Sequence, residues 1–211
     1  MNIISKNNEP LIEVKLLSLK IKDKRIVDGL SFALNAPSSC HICCSDEKLA
    51  RSMYQALAFE KHIEKGEYRV TDNVCRVITI RKERLGILTV KQNFDFFFGL
   101  YQNTIKQELI ISDFQEMLEL TNKQWGDRLE GLTNPLLEKT SIAISFLIPF
   151  QLYIFRHDTL ARQNLSDVMK TFVKNKLKIT GHICIFSNAV DDSILPKNDL
   201  KLTISANKTS K

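Results

Sequence analysis

The stretch Ser38 to Ala58, SSCHICCSDEKLARSMYQALA, constrains this chain more than any other. Cys40 to Cys44 has the make-up of a short apolar strand bounded by small and polar residues. Glu47 to Ala58 carries Leu49, Met53, Ala56 and Leu57 along one helical face. Only Ser45 and Asp46 separate the two, so strand must pass into helix through a tight turn. Near the start of an α/β domain, this is the place where nucleotide-binding folds hold phosphate, because unpaired backbone N–H groups and the helix dipole converge there. A phosphate cradle also needs glycines that let the backbone close on the oxygens, followed by Lys-Ser/Thr. This chain has no glycine between Gly29 and Gly66. The expected result is the architecture of a phosphate loop without its usual chemistry.

Around this unit the pattern is that of an α/β protein. Leu11 to Leu19 alternates as a half-buried strand, Lys22-Asp23-Lys24 signals a turn, and Leu30 to Leu34 makes a second strand. Gly66 is expected to start a hairpin with strands near Glu67 to Val70 and Val74 to Ile80. From Thr89 the period becomes helical, and Phe94, Phe97, Phe98 and Tyr101 fall on one stripe at i, i+3, i+4 and i+7. That stripe fits the core of a helical subdomain better than a docking groove for a partner helix. A second helix is expected from about Ile105 to Leu120. The loop GDRLEGLTNP then leads to an apolar helix from Leu136 to Ile148. Strands at Gln151 to Phe155, His182 to Phe186 and Leu200 to Ser205, with a helix at Leu165 to Leu177, imply a parallel sheet covered on both faces.

Composition sets the remaining bounds. A chain of 211 residues buries one sizeable core, and its 44% hydrophobic and 26% charged residues are those of an ordinary globular protein. No apolar run approaches the ~20 residues that span a bilayer; the longest candidates are split by Pro149. MNIISKNNEP lacks the parts of a signal peptide, so a cytoplasmic chain is expected. The net charge of +6 is dispersed among acids and apolar residues, which describes a solvated surface and no nucleic-acid partner. Five cysteines argue for reduced thiols. Strand alternation turns Cys40 and Cys44 one way and Cys43 the other, so they are expected as buried residues and not as a metal cluster.

On these segments the sequence resembles the ATP-binding subunits of ABC transporters over nearly its whole length. LIEVKLLSLKIKDKRIVDGLSFALN is similar to the family's opening strands, and GILTVKQNFDFFFGLY to the segment that opens its helical subdomain. LEGLTNP sits where the family has its signature, and GHICIFSN where it has its last strand and switch histidine. The short length and the APSS entry look most like the haem-exporter ATPases of cytochrome c maturation. The resemblance implies a single domain over 1–211 with the three-layer α/β, P-loop NTPase-like fold of ABC ATPases. It also implies an N-terminal antiparallel β subdomain and an inserted helical subdomain at about 88–148.

Carried over position by position, the resemblance shows a consistent loss. The glycines of the phosphate loop fall on Cys44, Glu47 and Leu49, its lysine on Ala50 and its magnesium-binding hydroxyl on Arg51, while Ser52 keeps a hydroxyl. Ser45, Asp46 and Lys48 fill the rest of the loop, and its carboxylates repel a polyanion. The glutamine that senses magnesium and water falls on Ile80. In the signature Thr133 keeps a hydroxyl, but Asn134 and Pro135 stand at glycines, and proline offers no N–H. The acidic pair after the buried strand falls on Arg156 and His157, and the switch histidine on Asn188. Phosphoryl transfer offers an enzyme little besides positioning and charge stabilisation. The implied protein is therefore a transporter-type subunit, peripheral at the inner face of the membrane, bound to an integral permease and to a second ATPase subunit. The family allows ATP and Mg²⁺ as cofactors while these residues weigh against them; no catalytic residue and no metal ligand is assigned. An active ATPase with an atypical site and a non-transport α/β scaffold are the competing readings.

Overall fold

The computed structural model describes residues 10–21, 24–35, 37–70, 74–75, 86–101, 111–161, 165–187, 195 and 199–205. Its strands divide between two sheets. Strands β1 (Ile12–Ile21), β2 (Lys24–Leu34) and β4 (Ile63–Val70) make an antiparallel sheet in the order β2-β1-β4. Strands β5 (Val74–Cys75), β6 (Leu152–Arg156), β7 (Gly181–Ser187), β3 (Ser39–Cys44) and β8 (Leu200–Ile204) make a parallel sheet in that order. This is the three-layer α/β arrangement with an antiparallel β subdomain that the sequence implies.

Helix α1 (Glu47–Phe59) fills the space between the sheets. Its buried face, Leu49, Ala50, Ser52, Met53, Ala56, Leu57 and Ala58, recurs at helical spacing. That face packs with Ile42, Ile154 and Ile183 of the parallel sheet and with Ile12, Val14 and Leu17 of the antiparallel one. The opposite face of the parallel sheet is covered by α5 (Asn134–Leu147), which buries nearly its whole circumference, and by α7 (Asp167–Ile179). Between β5 and β6 the chain also forms α2 (Val90–Tyr101), α3 (Ile111–Met117), α4 (Asn122–Gly126) and a 3₁₀ turn at Leu129–Gly131. A short helix, α6 (His157–Ala161), follows β6 directly.

The expected hairpin after Gly66 does not form. Strand β4 pairs with β1, whereas β5 runs parallel to β6 in the other sheet. Gly66 lies inside β4, where the β1–β4 register shifts between Lys15 and Ser18. Its φ is +105°, and a Cβ there would meet the Leu16 and Lys15 carbonyl oxygens and Leu17 Cα at 2.7 Å. The glycine is thus required by a bulge and not by a turn. The expected turn at Lys22-Asp23, residues 76–80 of the strand expected from Val74, and the first part of the helix expected from Ile105 lie outside the described residues.

The aromatic stripe divides. Phe94 is fully buried, with its ring 4.8 Å from Phe114 and 5.3 Å from Trp125. Phe97 and Phe98 pack at the margin of that core, Tyr101 is half-buried, and Phe96 on the adjoining face is exposed. Only Phe94 is fully buried in that core, with Phe97 and Phe98 packed against its edge.

Strand β3 has both its neighbours far along the chain. The Ser39 N–H and hydroxyl donate to the Asp199 carboxylate at 2.7 and 3.2 Å, and the Asp199 N–H donates to Ser39 Oγ at 3.0 Å. This exchange closes β8 onto the start of β3.

Candidate functional site

The candidate site lies at the carboxyl ends of β3, β6 and β7, the edge at which open parallel sheets bind ligands. Register puts Cys44 opposite Ser187 and Ile204, and Arg156 opposite Ile185. After Cys44 the chain turns in two residues, and the Ser45 N–H donates to the Ile204 carbonyl at 3.0 Å. Asp46 then takes the N-cap of α1 in extended conformation. Its Oδ1 accepts the Leu49 N–H at 2.9 Å, and its Oδ2 accepts the Ser45 hydroxyl at 3.2 Å. An aspartate at an N-cap satisfies an orphan donor and favours the positive end of the dipole. One of the first-turn donors that a phosphate could take, the Leu49 N–H, is therefore occupied by the chain's own carboxylate.

The rest of the loop divides between core and solvent. Leu49 and Ala50 are buried, so the position expected to hold the lysine points into the apolar layer. Ser52 is also buried and donates its hydroxyl to the Lys48 carbonyl at 2.9 Å, a helix-internal bond. Lys48 and Arg51 are exposed. Cys44 is buried, and burial together with Cys43 and Asp46 pushes its thiol up to about 12; burial and Cys43 do the same for Cys40. Cys43 packs against the opposite core, as alternation requires. Among the described residues no group of His, Cys, Asp or Glu is arranged to hold a metal ion.

The β6 end meets α1 directly. The Arg156 guanidinium donates to Glu47 Oε1 and, through the same Nη2, to Asp158 Oδ2 at 2.5 Å. Arg156 is largely buried while Glu47 is half-exposed. His157 is buried, 5% exposed, and stacks on Phe186 with ring centroids 4.8 Å apart. Sequence reasoning missed Asp158. The signal available was a carboxylate two residues after an arginine at the end of a buried strand.

The signature positions stand apart from this network. Thr133 is the N-cap of α5, its hydroxyl caps no backbone N–H, and Asn134 and Pro135 follow it in the first turn. All three are exposed. The segment before α2 is fastened to the residues leading there: the Leu129 N–H donates to the Leu88 carbonyl at 2.9 Å and the Val90 N–H to the Asp127 carbonyl at 3.0 Å. Ile80 and Asn188 lie outside the described residues.

No family model matches the chain, and no curated protein does. Solved structures do. A putative ABC transporter ATP-binding protein from Pyrococcus furiosus superposes with a TM-score of 0.61 at 14% identity, over 92% of this chain and 96% of that one. A nucleotide-free ATP-binding cassette from an ABC transporter gives 0.59 at 11% identity, over 94% and 90%. A cassette in its ADP conformation gives 0.59 at 9% identity over the same shares. The chain has the fold of ABC transporter ATP-binding subunits. Among its described residues no helix is long and apolar enough to cross a membrane.

Proposed function

We propose that this chain is an ABC-type ATP-binding-cassette subunit that keeps the fold and has given up ATP hydrolysis. It works in the cytoplasm as a peripheral partner of an integral membrane permease, paired with a second cassette subunit. The permease class favoured by the sequence resemblance is that of haem export in cytochrome c maturation. The helices at about 88–148 form its inserted subdomain.

One observation carries this reading: Arg156 is held between Glu47 and Asp158 where the family keeps acidic residues for a magnesium-bound nucleotide. The residues present do not fit that group. A guanidinium cannot ligate Mg²⁺, Asp46 already takes the Leu49 N–H, and Asp46 and Glu47 oppose a polyphosphate. The buried Ala50 supplies no cation. No hydrolytic step is therefore assigned to any residue here.

The test is phosphate release by the purified chain with and without Mg²⁺. A rate equal to that of buffer is expected. Magnesium-dependent release abolished by a substitution between Ser45 and Ser52 would overturn the reading. Co-purification of a polytopic permease with the tagged chain is the expected companion result.

A further inference from the structure

We propose that the Glu47–Arg156–Asp158 ion pairs, with the Asp46 cap, replace a bound metal–nucleotide as the staple between the start of α1 and the end of β6, holding that seam closed with no ligand. The inference rests on the reading of the site as non-hydrolytic and adds how it is held.

Strands β3 and β6 are not neighbours, because β7 lies between them. Two strand spacings are about 10 Å, beyond the reach of one side chain but within that of an arginine and a glutamate extended toward each other. In a phosphate-binding cassette, by the resemblance, a lysine on the α1 side and acids after the β6 strand face each other across a bound phosphate and metal. Here the polarity is exchanged, so the two sides pair directly. The carboxylates of Asp46 and Glu47 stand at the positive end of α1, and the cation comes from β6. Asp158 accepts from the same guanidinium nitrogen and orients it. Arginine suits the task better than lysine, since its planar fork fixes direction and it is more weakly hydrated. Arg156 is 17% exposed at its side chain, so water screens the pairs less than at an open surface. Three carboxylates against one guanidinium also leave the interlocked residues net negative, which disfavours a polyphosphate even when the tie opens.

A double-mutant cycle tests this in the full chain, with Glu47→Gln, Arg156→Met and both together. Each single change is expected to lower the melting temperature by about 2–4 °C, and the double change to add little to the larger single effect. Raising NaCl from 0.05 to 0.5 M should lower the wild-type melting temperature more than that of Glu47→Gln, which keeps only the Arg156–Asp158 pair of the staple. Should Arg156→Met not fold, that salt comparison decides alone, and Arg156→Lys is expected to fall short of wild type. Millimolar Mg·ATP should leave the wild-type melting temperature where it was. Additive single effects, an identical salt response in Glu47→Gln, or stabilisation by Mg·ATP would each overturn the staple. Additivity without phosphate release would do so while leaving the non-hydrolytic reading intact.

Discussion

The parallel sheet shows two unlike faces. Toward α1 it turns Cys40, Ile42, Cys44, Leu152, Ile154, Ile183 and Ile185, all aliphatic or thiol. Toward the helices it turns Tyr153, Phe155, Cys184 and Phe186, with the rings of His41 and His182 lying against them. The two imidazoles are 5.7 Å apart between centroids and both are buried. Burial, reinforced by His41, pushes His182 down to about 4, against smaller opposing effects of the Leu177 carbonyl and Asp199. The difference teaches where each kind of perturbation acts. The face under the candidate site is sensitive to volume and inserted charge, and the helical face is sensitive to acid.

The largest expected effect tests the first face. Ala50→Lys introduces an ammonium at a site 1% exposed among aliphatic side chains. A loss of about 3–5 kcal/mol in urea unfolding is expected. A fully stable variant that binds ATP would break the comparison, because the side chain would then have a route out of the core.

The next effect tests the helical face. His182 titrates near 6.5 unfolded and near 4 folded, so the unfolded chain binds the extra proton between those values. Its contribution is complete above about pH 6.5 and is lost as pH falls toward 4, by on the order of 3 kcal/mol. Urea midpoints at pH 7, 5.5 and 4.5 measure this, and His182→Phe should flatten the profile. A wild-type profile already flat across that interval would remove the distinction between the faces.

Smaller effects separate the helices that cover them. Asp46→Ala, which uncaps α1, should cost about 1 kcal/mol, whereas Thr133→Ala at the uncapped start of α5 should cost less than about 0.5 kcal/mol. Equal losses in thermal unfolding would show that the two caps do the same work. The smallest effect is chemical. Cys40 and Cys44 stay protonated with thiols raised to about 12, so iodoacetamide at pH 8 should leave both unlabelled in the native state. Prompt labelling of Cys44 would mean that the turn above it opens often.

Much of this arrangement was legible in the residues. Periodicity found β3, α1, β6, β7 and β8 within a residue or two, because each is a run whose apolar spacing has one compact solution. Alternation alone separates Cys43 from Cys40 and Cys44. The Gly66 hairpin failed because glycine marks a bulge as readily as a turn, and local pattern does not say which sheet a strand joins. The Glu47–Arg156 contact spans 109 residues and could not be read from spacing at all. The burial of His157 is likewise not legible in spacing, because its partner Phe186 comes from a strand brought alongside only by the fold.

The closure of β8 onto the start of β3 carries a consequence for the order of assembly. The carboxylate that receives the Ser39 N–H lies 160 residues further along, and both hydrogen-bonded neighbours of β3 come from the last part of the chain. During synthesis β1, β2 and β4 can pair among themselves as they emerge. Strand β3 instead waits with two open edges until residue 181 and beyond have left the ribosome. Connections of that length are slow to close and leave strand edges exposed in the interval. Chaperone dependence and loss to aggregation should therefore follow the rate at which the final strands are delivered. A translational pause placed between β6 and β7 should lower the yield of native protein more than one placed after β8.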